Sequence, residues 1–180
     1  YIAHKAVKKI QKISDHLGVT IAGGVADAQT VVDTLKYYAN IFKLEKNKPI
    51  PVKSTAQLAS NIFFSARFYP YMADIMVGGV DDNGGAIYNI DLFGSLTKDK
   101  FHSTGSGSPV AFGILESKFK DNLTIDEAIS IAAKAVNAAI LRNAGTGDGF
   151  DIVVITKGKY RELSKDEKDA ALKKIRGIPS

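Results

Sequence analysis

The stretch Thr20-Ile21-Ala22-Gly23-Gly24-Val25-Ala26-Asp27-Ala28 runs from an apolar strand through paired glycines into a helix, and such a corner can do chemistry with main chain alone. With no Cβ at Gly23 or Gly24, a ligand or another strand can approach the backbone. The N–H groups at a strand-to-helix corner can face an anion, or the oxygen that becomes negative during acyl transfer. The same residues also make an ordinary tight turn. Two further stretches bear on chemistry. Lys5, Lys8, Lys9 and Lys12 gather ammonium groups in one short segment, which reads as a solvated face, as the source of one site lysine, or as a nucleic-acid contact. Ser103-Thr104-Gly105-Ser106-Gly107-Ser108-Pro109 sets hydroxyls and glycines ahead of a helix, where free amides can hold an anion or simply start the helix.

The composition removes several other chemistries. There is no cysteine, so disulfide staples and thiolate nucleophiles are excluded. His4, His16 and His102 lack the spacing of a zinc site, and no metal is expected. The net charge of +5 suggests nucleic acid only weakly, because the lysine cluster has no interleaved aromatics. No apolar run approaches a bilayer span, and no signal peptide is visible. A chain of 180 residues is read as one domain over 1–180, long enough to bury about 70% of its unfolded surface. It opens on Tyr1 rather than methionine, so residues ahead of Tyr1 are expected.

The elements that must position these groups follow from periodicity. Residues 1 to 13 read as extended, with Ile2, Val7, Ile10 and Ile13 available for burial, and Asp15-His16-Leu17-Gly18 turns the chain into a strand from Val19 to Ala22. Ala28, Val31, Val32, Leu35, Ala39 and Phe42 recur at helical spacing, predicting a helix from about Asp27 to Leu44. After a loop marked by Pro49 and Pro51, Ser54 with Gln57 matches a capping box for a second helix, striped by Leu58, Ala59, Ile62, Phe63 and Ala66. Met72 to Val80 and Ala86 to Ile90 read as strands joined at Asp81–Gly85, and their near-continuous apolarity predicts burial on both faces. A short strand within Phe93–Phe101 and a helix over Val110–Lys120 follow.

Thr124 with Glu127 caps a fourth helix whose expected stripe is Ile125, Ala128, Ile129, Ala132, Ala133, Val136 and Ile140. A buried strand is expected at Ile152–Thr156 and another at Tyr160–Leu163, and Ser164 with Glu167 caps a final charged helix. This order lacks strict βαβ alternation. It suits an α+β fold of antiparallel sheets with paired helices on the outer faces.

Taken in register, HKAVKKI, TIAGGVADAQ, MVGGVD, STGSGSP and GFDIVVIT resemble a β subunit of the 20S proteasome, of archaeal style, across essentially the whole chain. The resemblance implies the N-terminal-nucleophile hydrolase fold, a four-layer αββα sandwich of two antiparallel sheets between helix layers. It also implies a threonine-type endopeptidase that cuts unfolded polypeptides inside a barrel chamber, without a cofactor. The nucleophile would be a threonine at the mature N-terminus, on a strand pair expected ahead of Tyr1. The implied partners are other β subunits in a seven-membered ring, α-subunit rings, and a regulatory ATPase acting through them; nucleic acid and membrane are not among them, and the setting is cytoplasmic.

Residue by residue, the resemblance assigns Lys9 to the lysine beside the nucleophile, Gly23 to the oxyanion N–H, and Ser106 to a hydroxyl supporting the nucleophile's amine. Val7, Gln11, Ile21 and Val25 would line the pocket for the side chain before the scissile bond, an apolar pocket that suits cleavage after hydrophobic residues. Thr146 keeps a hydroxyl where many active relatives carry serine. Asn143 stands where many carry aspartate, which removes a charge favouring a nearby ammonium. A non-catalytic β subunit that completes the ring is therefore the second reading, and a bacterial two-ring peptidase subunit is a third.

Overall fold

The computed structural model describes residues 8–142 and 149–176. Within them are seven strands and five helices. Strands β1 (Ile10–Ser14) and β2 (Leu17–Gly23) form the expected hairpin, with the turn reduced to Asp15 and His16. Helices α1 (Val25–Lys46) and α2 (Val52–Ser65) then intervene before β3 (Ala73–Asp81), β4 (Gly84–Ile90) and β5 (Leu96–Asp99). The five strands lie in chain order in one sheet, each antiparallel to the next.

Alternation along β3 places Ala73, Ile75, Val77 and Gly79 on a buried face and leaves Asp74, Met76, Gly78 and Val80 half-buried. The expectation of β3 and β4 sealed on both faces is thus corrected. In this sheet apolar residues also occupy a half-covered face, so hydrophobicity alone overstated the burial. Val31, Val32 and Leu35 of α1 and Val52, Ala56 and Phe63 of α2 share one core with Leu17, Val19, Ile75, Val77 and Ile90 of the sheet. His16 is buried at the hairpin turn, with Nε2 2.7 Å from the Ile50 carbonyl and Nδ1 2.9 Å from Ser14 Oγ. It ties that turn to the α1–α2 loop.

The capping box at Ser54 and Gln57 does not form. Helix α2 begins three residues earlier, with the extended Pro51 at its N-cap, because proline's fixed φ suits the entry to a helix and its missing N–H leaves no donor unsatisfied there. The cap comes from far along the chain: Asp81 Oδ2 accepts the Val52 N–H at 2.9 Å. Gln57 instead donates to Asn61 Oδ1 along the helix.

By internal contacts the chain divides into two compact units. One holds residues up to His102 with Ile155–Tyr160; the other holds Ser103–Val154 and the residues from Arg161 onward. In the second unit α3 (Ser108–Lys118) packs on α4 (Ile125–Arg142), and α4 on α5 (Lys165–Arg176). Strands β6 (Val153–Thr156) and β7 (Lys159–Glu162) make a two-stranded sheet, half-buried where a buried strand was expected.

Both capping boxes foreseen here form. Glu127 accepts the Thr124 N–H at 2.8 Å while Thr124 Oγ1 accepts the Glu127 N–H, and Ser164 and Glu167 repeat the exchange. The stripe expected on α4 is corrected in part: Ala133 is buried and Ile129 packs against the second core as expected, whereas Ile125, Ala128, Ala132 and Val136 are exposed and Ala135 and Ala139 are buried instead. Small side chains let neighbouring helices approach closely, which periodicity in large residues does not register. Ala133 joins Ile152, Leu163 and Ala171 in a second core cluster.

Candidate functional site

The glycine corner is built by the pairing of β2 with β3. Gly23 stands opposite Ala73 and has φ +105°. A Cβ built there would lie 2.3 Å from the Met72 carbonyl oxygen and 3.0 Å from the Ala73 Cα, so the position requires glycine. One residue on, the Gly24 N–H donates to that same carbonyl at 2.6 Å. Helix α1 starts immediately after, with Gly24 extended at the N-cap and no side-chain cap.

Register decides where the Gly23 N–H points. The Ile21 N–H donates to the Lys9 carbonyl at 3.1 Å, towards β1, whereas Gly24 donates towards β3. Antiparallel strands alternate in this way, so the Gly23 N–H is directed to the β1 side, past Lys9. A main-chain N–H directed in this way can pair with an extended peptide or stabilise an oxyanion.

The same pairing gathers side chains. Residues opposite one another across an antiparallel pair share a face. Gln11 opposes Val19 and Lys9 opposes Ile21, so Lys9, Gln11 and Ile21 lie on one side of the sheet, next to Gly23. Lys9 is exposed and makes no ion pair among the described residues. Gln11 and Ile21 are half-buried; Gln11 Nε2 donates to the Lys8 carbonyl at 2.9 Å, and Ile21 packs against the core. The result is an ammonium, an amide and an aliphatic wall beside a directed main-chain N–H.

The remaining positions are distributed otherwise. Val25 is the first residue of α1, where the side chains of residues 25–27 are not among those described. Ser106 belongs to the other compact unit, exposed in the turn before α3; within it the Ser108 N–H donates to the Gly105 carbonyl at 3.0 Å. Val7, Asn143 and Thr146 lie outside the described residues. Sequence reasoning had no signal for Met72, whose carbonyl fixes the corner from β3's entry. No group of three or more His, Asp or Glu that could hold a metal gathers among the described residues, and no described helix is long and apolar enough to cross a membrane.

Comparison with known proteins gives the family. Residues 1–155 match the family described as "Proteasome subunit". The chain is 52% identical over 172 residues to proteasome subunit beta 2 of Nitrosopumilus maritimus, covering 96% of this chain and 82% of that protein. It is 44% identical over 167 residues to proteasome subunit beta of Methanothermobacter thermautotrophicus, covering 92% and 80%. Against proteasome subunit beta 1 of Pyrobaculum calidifontis it is 46% identical over 158 residues, covering 87% and 79%. The chain belongs to the proteasome family, a family of proteases, and its similarity lies with the β-type subunits. Five helices and two antiparallel sheets among the described residues give the α+β content of that family's sandwich.

Proposed function

We propose that this chain is a threonine-type endopeptidase subunit of a proteasome core, acting as one β-type domain over 1–180. The observation that supports the reading is the placement of Lys9 opposite Ile21, beside Gly23, whose N–H is directed to the β1 side by the strand register. A threonine hydroxyl at the mature N-terminus adds to the peptide carbonyl carbon, and the C=O electron pair moves onto oxygen, where the Gly23 N–H holds it. The hydroxyl proton passes to the threonine's own amine. That proton then leaves with the departing amine of the substrate, giving an ester that water hydrolyses.

The Lys9 ammonium favours the ionised form of the hydroxyl and so lowers its pKa. The resemblance adds Ser106 and Thr146 as hydroxyls for the nucleophile's amine, and Asn143 as a neutral residue where many active relatives carry aspartate. Ile21, Val25, Val7 and Gln11 form the pocket before the scissile bond, which favours cleavage after hydrophobic residues. The partners are further β subunits in a seven-membered ring, α rings, a regulatory ATPase and unfolded polypeptide, in the cytoplasm.

Asn143, in place of the aspartate of many active relatives, favours a second reading: a ring member that does not cut. Intact-mass measurement of the assembled particle separates the two. The enzyme reading expects threonine at the mature N-terminus and hydrolysis of a fluorogenic peptide after a hydrophobic residue. Another residue at that terminus, with no hydrolysis by a particle whose only β subunit is this chain, establishes the structural role instead.

A further inference from the structure

The hairpin that leads from Lys9 to Gly23 is not a regular ladder. At its turn Ser14 stands opposite Leu17, but further out Lys12 stands opposite Gly18, Gln11 opposite Val19 and Ile10 opposite Thr20. Lys12, Ile13 and Ser14 thus face Gly18 and Leu17 alone, and Ile13 is the extra residue of a β-bulge. A regular ladder continued from Ser14 and Leu17 would set Ile13 against Gly18, Lys12 against Val19 and Ile10 against Ile21. Side chains alternate with a period of two, so one inserted residue exchanges the two faces of all that lies beyond it. The bulge is what brings Lys9, rather than Ile10, opposite Ile21 and next to Gly23.

Two features hold the bulge at the turn. Ile13 is anchored in the core at 7% exposure, which opposes slippage of β1. His16, 6% exposed, ties down the residue that follows the bulge. Its Nε2 lies 2.7 Å from the Ile50 carbonyl oxygen and its Nδ1 2.9 Å from Ser14 Oγ. A carbonyl can only accept, so Nε2 carries a hydrogen, and Nδ1 accepts from the Ser14 hydroxyl. The His16 carbonyl in turn accepts the Val80 N–H at 3.0 Å. Through ring and main chain this one residue fastens the hairpin to the α1–α2 loop and to β3. The Lys12–Asp15 ion pair spans the same turn, but an exposed pair adds little.

We propose that Ser14 and His16 are positioning residues for Lys9: by fixing the bulge at Ile13 they set the register that places the Lys9 ammonium on the face beside Gly23. The proposal rests on the reading of Lys9 as the lysine of a hydrolytic site. Both residues act through Lys9 and not on the substrate. A misplacement of about 1 Å can cost about 10²-fold in rate, so a loosened clamp is felt in kcat while the core still holds the fold.

The test compares assembled particles of wild type, Ser14→Ala, Ser14→Thr and His16→Leu by two readouts. One is hydrolysis of a fluorogenic peptide cleaved after leucine; the other is amide hydrogen exchange at Ile21, whose N–H donates to the Lys9 carbonyl at 3.1 Å. Ser14→Ala removes the hydroxyl and His16→Leu removes both ring bonds. Each is expected to lower kcat about tenfold with KM unchanged, and to speed exchange at Ile21 about tenfold relative to Val77 of β3. Ser14→Thr keeps the hydroxyl and is expected to restore both readouts to wild-type values. If His16→Leu does not fold, Ser14→Ala, at a half-buried position, decides alone. The proposal is overturned if Ser14→Ala leaves either readout unchanged, if Ser14→Thr loses as much as Ser14→Ala, or if the loss appears in KM alone. Wild-type particles that hydrolyse nothing refute the hydrolytic reading instead, and exchange at Ile21 still decides whether Ser14 and His16 hold the register of Lys9.

Discussion

Replacing Gly23 by alanine tests whether the corner is fixed by the main-chain contact with Met72. The added Cβ would lie 2.3 Å from the Met72 carbonyl oxygen, well inside any tolerated contact, and the residue would have to hold φ +105°. An L-residue in that region costs roughly 1–3 kcal/mol. Displacing β2 from β3 also stretches the 2.6 Å bond from Gly24 to Met72, a net loss of about 1 kcal/mol. Together these give a destabilisation of about 2–4 kcal/mol, read as a lower midpoint in urea. Gly85→Ala is the control: its φ is not positive and the added Cβ meets nothing within 4 Å, so a change within about 0.5 kcal/mol is expected. If the two variants unfold at the same denaturant concentration, the Gly23 corner is not held as described.

Other variants test the supports around it. Asp81→Ala removes the distant cap of α2 and is expected to cost about 1–2 kcal/mol, whereas Ser54→Ala is expected to be neutral; urea midpoints for both check the order. Gly94→Ala sets a Cβ 2.6 Å from the Ser60 carbonyl oxygen at φ +85°, so a loss of about 2–4 kcal/mol is expected, again by midpoint. The Glu127 carboxylate is lowered from 4.5 to about 2 by the Thr124 N–H, then by Lys120 and the Thr124 hydroxyl. A depressed folded-state pKa means stability that is present above 4.5 and lost as pH falls through about 2. The gap in melting temperature between wild type and Glu127→Gln is therefore expected to be full above that range and to close on acidification; a pH-independent gap contradicts the capping account.

The legible parts of the chain were those decided locally. Thr124 with Glu127 and Ser164 with Glu167 form their capping boxes because both partners lie within one turn. Ser54 with Gln57 carries the same pattern and fails, since Pro51 starts the helix and the cap arrives from Asp81, 29 residues on. Gly23 was legible as a place without a Cβ, but the reason it must be glycine is the Met72 carbonyl on another strand. Lys9 looked like one more surface lysine in composition; only the family resemblance singled it out, and only strand register set it beside Ile21 and Gly23. On α4 the stripe placed Ala133 and Ile129 correctly but missed Ala135 and Ala139, whose small side chains carry little periodic signal.

The most direct test is the steady-state hydrolysis of a fluorogenic peptide cleaved after leucine by assembled particles carrying Lys9 or Lys9→Ala, matched for assembly by native mass. Loss of a group that tunes the nucleophile's proton is expected to lower kcat by about 10²–10⁴-fold with little change in KM. Equal kcat in the two particles would remove Lys9 from the chemistry and contradict the account of this face as a hydrolytic centre.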